Sequence, residues 1–218
     1  MHKDYRVLHS FWIYIMNNKI IKQGLDEIAT RDSDVATALL QLGYPEPRIR
    51  PPGFETFFSI VVGQQLSTHA AAAIMLRARE LLPELTAEKV LAVTDEQLRS
   101  IGLSKQKTTY IQGMAEAIAQ GEFTPESLET MDDEEAIKAI VALKGFGPWS
   151  AEIYLMFSLQ RTDIFPSGDL ALLVALQKLK GLDEKPTPAE AKKIIEHWSP
   201  WRSIGSLFLW HYYHGAPT

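Results

Sequence analysis

Cysteine occurs nowhere in the 218 residues. Its absence excludes disulfides and thiolate-held metals, and it suits a reducing compartment, cytoplasmic or nuclear. Positive charge is also scarce: 22 lysines and arginines face 27 aspartates and glutamates, for a net charge of −5. A protein that grips nucleic acid by neutralising phosphates over a broad face needs the opposite balance. Long apolar runs are missing too. Phe11-Trp12-Ile13-Tyr14-Ile15-Met16 is hydrophobic but far short of the roughly 20 residues that cross a bilayer. No small-residue cleavage site follows it. It reads as a packing helix or an irregular N-terminal extension, and no membrane partner is expected. The chain shows no strand-like alternation, internal repeat or low-complexity linker, which leaves an all-helical reading.

What is present fits that reading. An apolar content of 46% fills one core, or two small lobes sharing one. Ser33 precedes DVATALLQLG, with Gly43 as the stop; Ser67 and Ser104 stand where helices should begin. Thr94 to Gln97 and Thr187 to Glu190 have capping-box form, and Thr124-Pro125-Glu126 places proline at the first helical position. Tyr44 to Gly53 is a proline-rich loop, and Phe54 opens a new apolar period. The spacing predicts about ten helices. His211 and His214 lie three apart without a third ligand partner and read as surface residues, so no metal is expected on side chains and no cofactor is implied.

The stretch LKGFGPWSAEIYLMFSLQRTDIFPSGD, residues 143–169, carries the chemistry. Gly145-Phe146-Gly147 joins two helical patterns, and a helix N-terminus after a glycine hairpin offers backbone N–H groups that hold a phosphate without side-chain charge. Asp169 then stands where the next helix begins. Alone, Ser-Gly-Asp before LALLVAL is a helix cap. The cap role is compatible with catalysis, because N-terminal amides and the helix dipole favour a charged carboxylate. A phosphate grip tied to a carboxylate points to chemistry on a nucleic acid.

This segment resembles the signature of the helix-hairpin-helix DNA glycosylase superfamily, and within it the 3-methyladenine DNA glycosylase II group. FETFFSIVVGQQLS at 54–67, IGLSKQKTTYI at 101–111 and WSPWRS at 198–203 resemble further elements of that group in the same order. The resemblance implies two helical lobes with a central base-binding cleft: one from residues 52–162, containing the helix-hairpin-helix, the other from 26–51 plus 163–218, with 1–25 as an extension. The absence of cysteine excludes the branches of that superfamily that carry a four-cysteine iron–sulfur cluster. The resemblance implies a monomer acting on double-stranded DNA that contains damaged bases, by flipping the base and hydrolysing the N-glycosidic bond of alkylated purines such as 3-methyladenine and 7-methylguanine.

The resemblance also assigns roles. Asp169 is the catalytic carboxylate, stabilising the positive charge that develops on the sugar as the base departs. Trp149 stands where strand-cleaving relatives carry a Schiff-base lysine, so the strand should stay whole. Trp149 and Trp210, with Tyr154 beside a position that is often tyrosine in relatives, are expected around the flipped base, where ring faces attract cationic purines. Gly145, Phe146, Gly147 and Lys144 should meet the backbone phosphates, and Ser104-Lys105 resembles a second gripping turn. Gln65, with Leu66 second, is expected to fill the gap left by the flipped nucleotide. Carbonyls of Val141, Leu143 and Phe146 form a candidate monovalent-cation site. Leu173 and Val174 replace an arginine pair frequent in relatives. Lys105, Lys107, Lys144 and Arg202 fall in the motif stretches and would make a locally basic face. Two other readings remain: a glycosylase for oxidised, deaminated or mismatched bases, and a hairpin module that binds damaged DNA without cutting.

Overall fold

The computed structural model describes residues 16–215, and the hydrophobic stretch at 11–16 lies outside them except for Met16. Met16 is buried, and its N–H donates to Gln160 Oε1 at 2.8 Å. Twelve α-helices follow among the described residues, with no strand: α1 (Asn18–Arg31), α2 (Ser33–Leu42), α3 (Phe54–Gly63), α4 (Thr68–Leu81), α5 (Ala87–Leu91), α6 (Asp95–Ser100), α7 (Lys105–Ala119), α8 (Asp133–Val141), α9 (Pro148–Phe157), α10 (Leu170–Lys180), α11 (Pro188–Ile194) and α12 (Arg202–Gly215). Short 3-10 turns cover Pro125–Glu129 and Glu196–Trp198.

Local chemistry explains most boundaries. Ser67, Thr94, Ser104, Thr187 and Asp169 each accept a backbone N–H of the helix they begin, and Thr94 and Thr187 close full capping boxes with Gln97 and Glu190. Each such cap contributes about 1 kcal/mol. Three expectations need correction. The cap of α2 is Asp32, not Ser33: Asp32 is extended and its carboxylate accepts Val35 N–H, so Ser33 becomes the first helical residue. The Thr124-Pro125 signal starts a 3-10 turn, not an α-helix. The boundary expected at residue 25 falls inside α1, whose Ile21, Leu25 and Ile28 are fully buried.

The helices pack in two groups. The first joins α1, α2, α10, α11 and α12; the second joins α3 through α9. Each is built around a helix buried on nearly every side: Ser203–Trp210 of α12 in the first, Ser150–Phe157 of α9 in the second. Close approach requires small residues there. A side chain at Gly205 would sit 2.4 Å from the Trp198 ring, and one at Gly24 would sit 2.8 Å from Ile204. Between the groups, Arg50 N–H donates to the Phe157 carbonyl at 2.8 Å, Ser203 N–H to the Thr162 carbonyl at 2.9 Å, and the Phe157 and Trp210 rings meet at 5.7 Å. Asp169 stands beside that seam, at the head of α10.

Candidate active site

The segment before Asp169 is held from α12. Arg202 donates to both Asp163 oxygens at 2.7 Å, Ile164 N–H donates to Ser203 Oγ at 2.8 Å, and Ser203 Oγ–H reaches the Arg161 carbonyl at 2.6 Å. The WSPWRS stretch therefore clamps the chain ahead of the carboxylate. Arg202, read from sequence as part of a basic face, is spent inside the protein on Asp163.

Asp169 accepts three N–H bonds. Leu172 N–H reaches Oδ1 at 3.1 Å, Trp149 Nε1–H reaches Oδ2 at 3.0 Å, and Trp210 Nε1–H reaches Oδ1 at 3.3 Å. All three donors are neutral, and no lysine, arginine or histidine forms an ion pair with Asp169 among the described residues. The carboxylate is fixed in direction while its charge stays uncompensated. It opens onto a cleft of about 930 Å³ lined also by Gln64, Gln65, Leu66, Tyr110 and Gly145. A developing cation in that cleft would find a negative charge already fixed in direction.

The aromatic expectations divide. Trp149 is half-buried and lines the cleft. Trp210 is only 7% exposed, lies against Phe157, and has the Arg48 guanidinium 5.9 Å over its ring. Its contact with the site is the N–H bond to Asp169. Tyr154 does not face the cleft: it is 0% exposed, stacks on Phe57 at 4.0 Å, and its hydroxyl accepts Gly53 N–H. Burial pushes the Tyr154 phenol up to about 12. Because α9 is buried all round, an aromatic residue on it can point into the core, and Tyr154 does.

At the hairpin the backbone, not the side chains, is what stands free. Gly145 has φ +91°, and a side chain there would overlap the Tyr110 ring at 2.2 Å, so glycine is required twice over. The Phe146 side chain is buried against Phe57, and its N–H is taken by the Leu143 carbonyl at 3.1 Å. The N–H groups of Gly145 and Gly147 have no acceptor among the described residues. Lys144, Ser104 and Lys105 are exposed, and Ser104 caps α7. Gln65 and Leu66 are exposed at the end of α3, with Gln65 at φ +56°. Val141, Leu143 and Phe146 offer neutral carbonyl oxygens, which suit a hard cation, although Leu143 already accepts one N–H. No cluster of three His, Cys, Asp or Glu side chains placed to hold a metal exists among the described residues, and His211 Nε2 contacts the Leu42 carbonyl.

Three residues of the cleft escaped sequence reasoning. Lys107, read only as a basic residue, donates its ammonium to the carbonyls of Val62 and Gln64 at 2.7 and 3.0 Å, and burial lowers its pKa. Gln64 donates to the Gly145 carbonyl at 2.9 Å. Leu170, the first residue of α10, is 62% exposed on the cleft beside Asp169. Only the IGLSKQK and QQL stretches marked their neighbourhoods.

The model of the HhH-GPD superfamily base excision DNA repair proteins matches residues 58–200. DNA-3-methyladenine glycosylase 1 of Schizosaccharomyces pombe is 32% identical over 161 residues, 72% of this chain and 71% of that protein. A DNA-3-methyladenine glycosylase of Bacillus subtilis is 32% identical over 123 residues, 56% of this chain, and the match spans only 41% of that protein's length. Among solved structures, the Schizosaccharomyces pombe 3-methyladenine DNA glycosylase Mag1 in complex with abasic DNA superposes with a TM-score of 0.83 at 27% identity, covering 89% of this chain and 98% of that one. From the hairpin, the capped aspartate and these matches, the chain belongs to the HhH-GPD superfamily of base excision DNA repair proteins.

Proposed function

We propose that the protein is a monofunctional DNA glycosylase that removes alkylated purines from double-stranded DNA. The observation that carries this reading is the Asp169 carboxylate, held by two indole N–H groups and a helix N-terminus and left without a cation at the cleft. The glycosidic bond between C1′ and the purine nitrogen breaks, and its electron pair leaves with the base. Water then bonds to C1′ and loses its proton, giving an abasic site. Asp169 opposes the positive charge on the sugar and orients that water. A purine alkylated at N3 or N7 already carries positive charge, so it departs as a neutral base without a strong general acid. Trp149 offers such a cation an aromatic neighbour, worth roughly 0.5–2 kcal/mol. The free N–H groups of Gly145 and Gly147, with Lys144 and the α7 N-terminus at Ser104-Lys105, would take backbone phosphates. Carbonyls of Val141, Leu143 and Phe146 would hold a monovalent cation, which would supply positive charge to the same grip.

The absence of strand cleavage follows from the amines near the site. Trp149 stands where the lyase lysine would, and the Nζ of Lys107, which does line the cleft, is tied to the carbonyls of Val62 and Gln64. The test is base release from duplexes carrying single defined lesions, with wild type and Asp169→Asn side by side. Release of 3-methyladenine or 7-methylguanine by wild type alone supports the reading; no release from any lesion ends it. Strand nicking without added alkali or heat, or borohydride trapping on DNA, would refute the monofunctional part.

A further inference from the structure

The residue expected to enter the duplex, Gln65, sits in an unusual setting. It has φ +56°, a left-handed conformation that is strained for a residue other than glycine. It follows the last turn of α3, where backbone carbonyls lack helical partners. Lys107 spans two of those carbonyls, Val62 and Gln64, with one ammonium. A cation at a helix C-terminus is also favoured by the helix dipole. The neighbouring Gln64 turns inward and donates to the Gly145 carbonyl at 2.9 Å and to Ser150 Oγ at 3.4 Å. Gly145 in turn packs against Tyr110 of α7, the helix that carries Lys107. The contacts close a ring: α7 to the Gln64 carbonyl, the Gln64 amide to the hairpin, and the hairpin back to α7.

We propose that Gln64 and Lys107 are positioning residues for base extrusion: they brace the Gln65 turn against both DNA-gripping turns, the hairpin and the start of α7. This rests on the glycosylase reading above. A braced turn sets how far Gln65 projects when the phosphates are seated, so that seating the backbone and filling the gap become one event. Neither residue acts on the reacting atoms. Their effect should therefore fall on lesions that must be unstacked and unpaired, and spare lesions already outside the helix.

The test measures single-turnover excision by the full chain on one lesion in two settings: paired within a duplex, and in a single-nucleotide bulge where it is already extruded. Lys107→Met and Gln64→Ala should each lower the paired rate roughly tenfold or more, because unstacking and unpairing must then proceed without a braced turn. The bulge rate should fall less than about threefold. Lys107→Arg should restore most of the paired rate, because a guanidinium can still donate to both carbonyls, whereas Gln64→Glu should not, because it has no donor. Fluorescence of 2-aminopurine beside the lesion, read in the Asp169→Asn background, should show reduced extrusion in the same variants. Thermal melting identifies any variant that fails to fold, and the other site then carries the test. Equal losses on both substrates, or no loss on either, overturn the bracing role. Wild type that excises from neither substrate overturns the glycosylase reading, and this proposal with it.

Discussion

Asp32 and Asp169 are built alike and surrounded differently. Each caps a helix with its own carboxylate, and each accepts indole N–H bonds: Trp198 on Asp32 at 2.7 Å, Trp149 and Trp210 on Asp169. Asp32 is also paired with Lys180 and in contact with His197 Nε2 at 3.0 Å, and its side chain is only 1% exposed. Burial alone would raise the Asp32 pKa, but hydrogen bonds from Lys180 and Trp198 reverse this and hold it below the usual carboxylate range. Asp169 has neutral donors only, and one side open to a cleft. The same local motif thus gives a closed structural joint in one place and an unspent charge in the other. A carboxylate that already has its cation has little attraction left for a cationic transition state. One that is oriented by dipoles keeps it.

The largest effect should come from removing the unspent charge. Asp169→Asn should lower excision by roughly 10²–10³-fold, the scale of losing one aimed electrostatic group. It should leave the melting temperature nearly unchanged, because asparagine is an equally good cap. Asp32→Asn should do the reverse. Lys180 keeps the half-exposed Asp34 at 2.9 Å but loses its buried partner. That costs about 1–3 kcal/mol, a fall of roughly 2–10 °C in melting temperature for a chain of this size, while the rate per folded molecule stays near wild type. Calorimetry and single-turnover kinetics on the two variants decide the matter; a shared loss of both properties would erase the distinction.

Glu152 sharpens the contrast as a third case. It lies inside α9, 8% exposed, and accepts no hydrogen bond among the described residues. Burial pushes its pKa up to about 7, and Lys192 only partly opposes that. Between the ordinary glutamate value of 4.5 and about 7, the folded protein keeps a proton that the unfolded chain has lost. Stability therefore falls as pH rises through that window and is lowest above it. Glu152→Gln should match wild type near pH 5 and exceed it near pH 8 by up to about 3 kcal/mol. Urea melts at the two pH values measure this, and an unchanged slope would mean another group titrates.

These three carboxylates also mark what the sequence could reveal. The hairpin, the cap at Asp169 and the capping boxes were legible because their partners lie within four residues. The orientation of Tyr154 was not, since a helix buried on all faces has no amphipathic period to show which side meets the cleft. Nor could sequence tell which cations are already spent. Arg202 and Lys107 look like Lys105 and Lys144 until Asp163 and the α3 carbonyls are brought beside them from 39 and 45 positions away. The acidic balance of the chain thus understates its internal pairing. Arg202 and Lys107 serve the fold, and in the proposed grip the phosphates are left to backbone N–H groups and the exposed Lys105 and Lys144.

The smallest effect tests whether the indoles act through the carboxylate or merely pack beside it. Trp210→Phe removes the N–H bond to Asp169 and keeps an aromatic ring against Phe157. A hydrogen bond to a charged group contributes about 1.5–3 kcal/mol. Part of that is already used to orient the ground state, so the expected loss in rate is roughly tenfold. Trp149→Phe should lose at least as much, because its bond is shorter, at 3.0 Å against 3.3 Å. Trp198→Phe, the counterpart on Asp32, should lower the melting temperature without touching the rate. A double-mutant cycle separates the alternatives. If the indole works by aiming the Asp169 charge, Trp210→Phe should cost almost nothing further once Asp169→Asn has removed that charge. If the ring instead holds the flipped base, the two losses should add.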